Sequence, residues 1–218
     1  IIDLAELLYN SSDVSYLIRQ IERNAPSGVS VSLPKAKPNT PQNSFENLQV
    51  LSIAHPALIK YLGERCIDIE IARTVCKELH FDTRGKHYFG IGFPNIAGGY
   101  EIRNPFFKGG ITPKDISLFH NEESKQSCFV FEGFIDFLSF MMLRRKENDG
   151  LKRQDYLVLN SVSNVHKALE SLSHYKNVQC FLDNDEAGRN AYKQLSEELG
   201  SSVLDSSSLY SDFKDLND

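Results

Sequence analysis

Three acidic residues stand at the ends of two short apolar runs in the second half of the chain. Glu132 directly follows the apolar run CFVF, and Asp183 and Asp185 follow the apolar run VQCFL. Carboxylates gathered in one small volume repel each other and raise each other's pKa unless a cation compensates. Mg²⁺ suits an all-oxygen site that shares its coordination with phosphates. The pattern therefore predicts metal-assisted phosphoryl transfer.

Each acidic residue also has a plainer interpretation when it is taken alone. Asp183, Asp185 and Glu186 stand where a helix dipole favours negative charge, and Asp136 can be a solvated residue of a first helical turn. The case for a site depends on the acidic residues meeting at one edge of one sheet. If the strand before Asp183 continues through Asp185, the alternation of side chains points both carboxylates to one side.

The elements around these residues predict such a sheet. Strand-like and helix-like segments alternate over the last hundred residues, and such alternation gives a parallel sheet with right-handed crossovers. Ligands of these sheets bind beyond the carboxyl ends of the strands. The predicted strands are residues 128–131, 155–160, 178–182 and 201–205, and the predicted helices are residues 134–145, 164–175 and 187–199.

The first half of the chain has a different pattern. Residues 3–23 predict two helices joined by a turn, and residues 24–44 are rich in Pro, Ser and Asn and predict a linker. The pattern is helical from about Glu46 to Phe81 and predicts two further helices over residues 55–67 and 68–81, with Asp68 as the N-cap of the second. Residues 86–107 predict a small antiparallel sheet with one tight turn at Gly98 and Gly99.

Composition limits the class of protein. The 218 residues are 41% hydrophobic and 24% charged, and residues 121–218 carry 17 Asp and Glu against 11 Lys and Arg. No apolar run has the length of a membrane span, so we expect no membrane partner. The four cysteines lack zinc-ligand spacing and are expected to be reduced core thiols in a cytoplasmic protein: Cys66, Cys76, Cys128 and Cys180.

The acidic segments resemble a known family. VFEGFIDFLS, followed some fifty residues later by FLDNDEAGRNA, resembles the Toprim domain shared by bacterial-type DNA primases, topoisomerases and several nucleases. The family has Glu-Gly after its first strand and Asp-x-Asp after its third. The matching positions in this chain are Glu132, Gly133, Asp183, Asp185 and Gly188.

Further segments are similar to the primase branch of that family. EGFIDFLSF resembles the Glu-Gly-x-x-Asp of primases, which adds Asp136, and YLGERCIDIEIA resembles a primase helix start with Cys66 in place of a glycine. Thr112-Pro113-Lys114 and the terminal FKDLND also resemble primase segments. In the latter, Lys214 and Asp215 match, and Asn217 stands where an aspartate is usual.

The resemblance implies an α/β fold: a Toprim parallel sheet with flanking helices, preceded by a small α+β primase-like subdomain. It divides the chain into a helical N-terminal remnant and linker (residues 1–45), a basic primase-like subdomain (46–120) and a Toprim domain (121–218). The chain starts without Met, and we expect it to be a fragment that lacks a Zn²⁺-binding domain and ends within the Toprim domain. A diverged primase of a bacterial mobile element fits these features.

The implied activity is synthesis of RNA primers on single-stranded DNA from nucleoside triphosphates, with a replicative helicase as a further partner. Mg²⁺ or Mn²⁺ would be held by Glu132, Asp183, Asp185 and Asp215, of which the first three are the expected catalytic residues. The expected residues for phosphate or template binding are Arg65, Arg103, Lys108, Lys114 and Arg189. Arg189 stands in a first helical turn, where a bound phosphate, an ion pair with the acidic cluster or plain exposure would each explain it.

Two other functions stay open from the sequence. A Toprim nuclease would share the acidic site but would not need residues 60–114. A non-catalytic replication or mobilisation factor would keep the fold for DNA binding, and the Asn217 departure leaves room for it. The aromatic residues near the cations either stack on bases or form the core of the small sheet, and we expect the core for Phe89, Phe93, Tyr100, Phe106 and Phe107.

Overall fold

The structure is a computed structural model of the chain. It describes residues 45–121, 126–145 and 154–218, all of which belong to one compact unit, residues 43–218. The helices predicted in residues 3–23 and the linker predicted in residues 24–44 lie outside the described residues. None of the helices within the described ranges has the length and hydropathy of a membrane span.

The first sheet is an antiparallel meander. Its five strands pair in chain order, and the tight turn between the third and fourth strands has Gly98 at φ 84°, where glycine is favoured. The antiparallel sheet expected over residues 86–107 is therefore confirmed, and it extends on both sides of that range. The strands are β1 (Glu46–Leu51), β2 (Lys77–Thr83), β3 (Lys86–Pro94), β4 (Tyr100–Asn104) and β5 (Phe107–Ile111).

Two short helices lie between β1 and β2, and one expectation about them is wrong. Helix α1 spans Pro56–Glu64 and helix α2 spans Ile69–Val75. Asp68 is confirmed as the N-cap of α2, because its Oδ1 accepts from the Glu70 N–H at 2.7 Å. The second helix was expected to reach Phe81, but residues 77–83 form β2. Leu79 and Phe81 bury alternate side chains there, and pairing with β1 and β3 replaces the helical hydrogen bonds.

Strand β1 lies where the sequence pattern indicates helix, so that expectation is wrong for residues 46–51. All six of its side chains are exposed, so the apolar alternation that marks a strand is absent. It pairs with β2 at the edge of the sheet, and the register shifts between Glu46 and Gln49, with Asn47 at φ 54°. Pairing with β2 is what identifies this segment as a strand.

The second sheet has the predicted alternation of strands and helices. Its order is β10-β9-β7-β8-β6, and all neighbours are parallel except β6, an unpredicted strand that pairs antiparallel with β8. The strands are β6 (Ser117–Phe119), β7 (Ser127–Phe131), β8 (Asp155–Val158), β9 (Asn177–Phe181) and β10 (Val203–Asp205). The helices are α3 (Phe134–Arg144), α4 (Val165–Leu172) and α5 (Glu186–Leu199), with 3₁₀ turns at Val162–Asn164, Gly200–Ser202 and Ser207–Tyr210.

The strand order creates a crevice between β7 and β9. The chain leaves β7 through α3 to β8 on one side and later returns as β9 on the other side of β7. At such a switch point the loops after the two central strands part and leave room for a ligand. Phe131 pairs with Phe181 at the ends of the two strands, so the residues that follow, Glu132 and Asp183, meet at this crevice.

One hydrophobic core joins the two sheets. Phe93 of the first sheet stacks on Phe134 of α3, with ring centroids 5.1 Å apart, and also contacts Phe137. Phe131 and Phe181 continue the aromatic packing into the second sheet. Burial of the rings of Phe93, Phe134 and Phe137 contributes about 5–9 kcal/mol by transfer from water. This packing fixes the two sheets against each other.

The four cysteines divide between core and surface. Cys76, Cys128 and Cys180 are buried free thiols, in agreement with the sequence analysis. The expectation of a core thiol is wrong for Cys66, which is exposed. Its N–H donates to the Gly63 carbonyl after α1, and its φ of 56° is the left-handed conformation in which a helix C-terminus favours glycine.

Gly188 provides a test of how tightly α5 packs against the end of β9. A Cβ at Gly188 would lie 2.1 Å from the Asp183 carbonyl oxygen, so neither backbone can accommodate it without moving. Gly188→Ala is expected to lower the free energy of unfolding by more than about 1 kcal/mol. Gly63→Ala is the matched control, since nothing lies within 4 Å of that helical position, and Ala there should stabilise α1 by up to about 1 kcal/mol. Urea unfolding of both variants measures the difference, and equal effects would contradict the close approach.

Candidate functional site

A cavity of about 800 Å³ opens over the crevice between β7 and β9. One wall comes from the β4–β5 hairpin and α1, and the other from the loops after β7, β8 and β9. The lining is strongly charged. Its acidic residues are Glu101, Glu132, Asp136, Asp183 and Asp215, and its basic residues are Arg65, Arg103, Lys108, Lys114 and Lys214.

Glu132 lies at the centre of the acidic wall. The backbone of Asp183, just after β9, lies beside the Glu132 carboxylate and favours the ionised form. Burial, and after it the charge of Asp183, raises the pKa of Glu132 to about 7. Its Oε2 is buried and has no hydrogen-bond partner within the described part of the chain. This oxygen is therefore available to a ligand.

Asp136 brings a further carboxyl group into the first turn of α3. Its side chain is 8% exposed, and burial followed by the charges of Asp215 and Asp183 raises its pKa to about 7. This residue matches the Glu-Gly-x-x-Asp segment, but no site role was predicted for it. It was missed because a carboxylate in a first helical turn is ordinary, and only its burial beside other carboxylates marks it.

Asp183 and Asp185 have different surroundings. Asp183 lines the cavity, and burial followed by the charge of Asp215 raises its pKa. The condition under which alternation would point both carboxylates to one side is not met, because β9 ends at Phe181 and Asp185 is the N-cap of α5. Its Oδ1 accepts from the Gly188 N–H at 3.0 Å, and this bond, with the nearby Lys214, lowers the pKa of Asp185. The residues that line the cavity do not include Asp185.

Lys214 is the cation that offsets the repulsion between the carboxylates of Asp183 and Asp185 in the structure. Its Nζ lies 3.4 Å from Asp185 Oδ2 and 3.7 Å from Asp183 Oδ2. The hydrogen bond with Asp185 and the charge of Asp183 raise the pKa of Lys214. The Asn184 N–H also donates to the Lys214 carbonyl at 2.7 Å, so backbone contact fixes the C-terminal segment beside the two aspartates. The FKDLND motif pointed to this lysine, but the sequence did not show what it contacts.

The side chains fit a hard divalent cation in their chemistry. The carboxyl groups of Glu132, Asp136 and Asp183 have raised pKa values, and one buried oxygen, Glu132 Oε2, lacks a partner among the described residues. Within those residues no three His, Cys, Asp or Glu side chains already converge on one metal position. A divalent ion would thus require small rotations of the carboxylates and withdrawal of Lys214.

The basic wall faces this acidic edge. Arg103 and Lys108 lie directly opposite each other in the β4–β5 ladder, and like charges in that position are destabilising unless an anion approaches them. Arg103 is also held by the ring of Phe134, with Cζ 5.7 Å from the ring centroid. Glu101 is the nearby carboxylate. Burial raises its pKa, so its negative charge compensates Arg103 and Lys108 less well.

Arg65 is positioned by Asn217. The Arg65 Nη1 donates to Asn217 Oδ1 at 3.0 Å, and Asn217 Nδ2 donates to the Arg65 carbonyl at 3.0 Å and to Ser139 Oγ at 2.9 Å. A carboxylate could not donate the last two bonds. The asparagine at this position therefore links the end of α1 to α3, and it is not among the residues that line the cavity.

Two expected binding residues differ in their placement. Lys114 lines the cavity, as Lys108 does. Arg189 is exposed and outside the cavity lining, and its Nη1 donates to the Asn184 carbonyl at 2.6 Å. It thus supports the loop that holds Asp183 and Asp185.

The aromatic residues of the first sheet also separate into two groups. Phe93 is fully buried, and Phe89 and Tyr100 are half-buried against the core, as expected. The same expectation is wrong for Phe106 and Phe107, which are 97% and 41% exposed. Both line the cavity from the tip of the β4–β5 hairpin. Two adjacent phenylalanines beside a proline suggest core packing. The two-residue loop explains the exposure of Phe106.

The raised pKa of Asp136 predicts a pH dependence of stability. A buried carboxyl whose folded pKa is about 7 binds its proton more tightly in the folded state than in the unfolded state. Its ionisation therefore destabilises the fold progressively as the pH rises from about 4 to about 7. Asp136→Asn should gain stability relative to the parent, by about 1–2 kcal/mol more at pH 8 than at pH 5. Urea unfolding in EDTA tests this. The exposed Asp212→Asn variant is the control, and a pH-independent difference for Asp136→Asn would contradict the assignment.

Comparison with known proteins supports the assignment of the fold. Residues 129–218 match the family described as Toprim-like, and residues 47–112 match a domain of unknown function, DUF8464. No curated protein gives a significant sequence match.

Two solved structures share the arrangement of the chain. The primase fragment of the bacteriophage T7 primase-helicase matches with a TM-score of 0.54 and 20% identity, covering 79% of this chain and 70% of that chain. The Aquifex aeolicus primase fragment, with its zinc-binding and RNA polymerase domains, matches with a TM-score of 0.51 and 15% identity. That match covers 94% of this chain and 63% of the Aquifex chain. Residues 129–218 are therefore a Toprim-like domain, and the chain as described has the fold of these primase fragments.

Proposed function

We propose that this chain is a primase catalytic core, which transfers nucleotides to the 3′ end of an RNA primer on a single-stranded DNA template. The observation that carries the proposal is the division of one cavity into an acidic wall and a basic wall. A nucleoside triphosphate needs cations or metal for its phosphates, and a template strand needs cations for its backbone. The cavity offers both on opposite sides.

The acidic wall would hold the reacting phosphates through metal. Bound Mg²⁺ or Mn²⁺ supplies neutralisation of the charge that develops on the transferring phosphoryl group and on the departing pyrophosphate. Glu132, Asp183 and Asp215 line the cavity and are the ligands that we propose, and Asp136 is a fourth. Asp185 would contribute through Oδ2, the oxygen that now contacts Lys214.

The reaction itself needs no side chain as nucleophile. The primer 3′-hydroxyl oxygen forms a bond to the α-phosphorus, the bond to the bridging oxygen of pyrophosphate breaks, and the hydroxyl proton passes to solvent or to a carboxylate of the acidic wall. Most of the rate enhancement would come from positioning and electrostatics.

The basic wall would hold the template backbone and the triphosphate. Lys108 and Lys114 are exposed and line the cavity, Arg103 is fixed over Phe134, and Arg65 is fixed by Asn217. These residues favour a primase over a nuclease that shares only the acidic edge, since the first sheet places two of the four, Arg103 and Lys108, beside that edge. A replicative helicase and a separate Zn²⁺-binding domain remain the further partners that we propose.

A second candidate is a factor that binds DNA without catalysis. It is favoured by one observation, the contact of Lys214 with Asp183 and Asp185 where a metal would bind. A divalent-ion titration separates the two functions. A catalytic core binds Mn²⁺ more tightly than its Asp183→Asn variant, whereas a binding factor with an inert site binds it no better.

The main test is primer synthesis by the full-length protein with Mg²⁺ and a single-stranded template. Asp183→Asn and Glu132→Gln should each reduce synthesis by at least about 100-fold, because each removes a charge from the acidic wall while keeping its shape. Glu197→Gln, an exposed change on α5, should leave synthesis intact. Circular dichroism checks that the variants fold. Full activity in both site variants would remove the proposed mechanism.

Lys214 gives a separate prediction about metal affinity. Its ammonium group competes with a divalent ion for Asp183 and Asp185, and a partly exposed ion pair of this kind has a modest free energy. Lys214→Gln should therefore bind Mn²⁺ about two- to fivefold more tightly, measured by electron paramagnetic resonance of free Mn²⁺. Lys193→Gln, which removes an exposed lysine on α5, should leave the affinity unchanged. Weaker Mn²⁺ binding by Lys214→Gln would show that the lysine does not compete.

A further inference from the structure

Phe106 has the exposure of a residue whose partner is absent. At 97% exposure it is the most exposed large apolar side chain among the described residues. A phenylalanine ring left in water forgoes about 1.5–3 kcal/mol of burial energy, and the fold gains nothing from its placement. The ring lies at the tip of the β4–β5 hairpin, where it lines the charged cavity.

The hairpin fixes the backbone that carries this ring. Asn104 pairs with Phe107 across the ladder, which leaves only Pro105 and Phe106 in the loop. The Asn104 Oδ1 accepts from the Phe106 N–H at 2.9 Å, and its Nδ2 donates to the Phe89 carbonyl at 2.7 Å. Proline fixes its own φ, so the loop is braced from within and from β3. A preorganised loop backbone loses little entropy on binding.

The neighbouring phenylalanine is different, because it has a packing partner. The ring of Phe107 lies across Gly109, where an added Cβ would come within 2.3 Å of its Cζ. Phe107 is accordingly less than half exposed. Packing explains Phe107, whereas Phe106 has no comparable contact among the ring pairs of the described residues.

The charges beside Phe106 indicate the chemistry of its partner. Arg103 and Lys108 face each other in the β4–β5 ladder next to the loop, and Lys114 lines the same cavity. Cations spaced along a groove with an exposed aromatic ring among them form the surface that binds single-stranded nucleic acid, since phosphates meet the cations and a base stacks on the ring. A protein partner would not require such an excess of cations at the ring.

We propose that Phe106 stacks on a base of the single-stranded DNA template, while Arg103 and Lys108 hold the adjacent phosphates. This inference rests on the proposed function, because it requires the cavity to bind a template. It adds a residue that recognises bases through their faces. The ring is tolerant of sequence because every base has such a face.

The chain allows a direct test because it contains no tryptophan. Phe106→Trp creates a single fluorescent reporter at the hairpin tip, and Ile96→Trp creates a control at the opposite end of β4, where Ile96 is 57% exposed and outside the cavity lining. Oligo-dT should quench Trp at position 106 and leave Trp at position 96 unchanged. An abasic oligonucleotide of equal length, which has the phosphates without the bases, should quench neither.

Affinity measurements separate stacking from charge. Phe106→Ala should weaken oligo-dT binding by about 5- to 100-fold and should change binding of the abasic strand by less than about twofold. Phe106→Trp should retain the parent affinity. Lys108→Gln should reduce the slope of log affinity against log salt by about 0.7, and Phe106→Ala should keep that slope.

The outcomes distinguish this inference from the function on which it rests. If Phe106→Ala binds oligo-dT as tightly as the parent while Lys108→Gln binds it more weakly, stacking is wrong and the template site stands. Equal quenching by oligo-dT and the abasic strand, or quenching by ATP but not by oligo-dT, also overturns template stacking. If the parent protein shows no oligo-dT binding, both the inference and the template site fall.

Discussion

The stacking of Phe93 on Phe134 is the contact on which the rest of the site depends. Phe134 is the first residue of α3, immediately after the turn that carries Glu132, and Phe93 comes from the middle of the first sheet. The same ring holds the guanidinium group of Arg103 on β4. One aromatic side chain thus fixes the distance between the basic hairpin and the acidic edge, and the cavity exists because that distance is fixed.

This packing forces the acidic residues into an unfavourable arrangement. The first turn of α3 must stay against the core, so Asp136 cannot move away from Asp215 and Asp183. The cost is visible as raised pKa values of Asp136, Glu132 and Asp183, all led by burial. Lys214 compensates only the outer side of the cluster, where its ammonium group contacts Asp183 and Asp185. Strongly perturbed pKa values cluster at functional sites.

The sequence predicted what depends on local pattern and missed what depends on distant partners. The alternation of strands and helices after residue 126, the N-cap at Asp68 and the turn at Gly98 all follow from neighbours in the chain, and the structure confirms them. Strand β2 looked helical because its identity comes from β1 and β3. Phe106 looked like core because aromatic composition does not show that a two-residue loop points a ring outwards.

The candidate site shows the same division. The acidic residues on adjacent strand ends could be placed at one edge because parallel strands share their direction, but the separate role of Asp185 could not. Whether an aspartate caps a helix or lines a cavity depends on where the strand stops, and β9 stops four residues before Asp185. Local sequence gives strand ends only to within a few residues. That uncertainty is large enough to hide whether Asp185 caps a helix or lines the cavity.

Asn217 shows how a substitution at a motif position can be compensated by structure. An aspartate there would accept a bond from Arg65 but could not donate to the Arg65 carbonyl or to Ser139. The amide satisfies all three groups and joins α1 to α3, so it fixes Arg65 at the basic wall and leaves one carboxylate fewer to repel Asp136 and Asp215. The asparagine removes a possible metal ligand, and it also holds the guanidinium group of Arg65 in place. In the proposed site, Glu132, Asp183 and Asp215 would hold the metal, and a guanidinium group that the amide holds in place would meet phosphate.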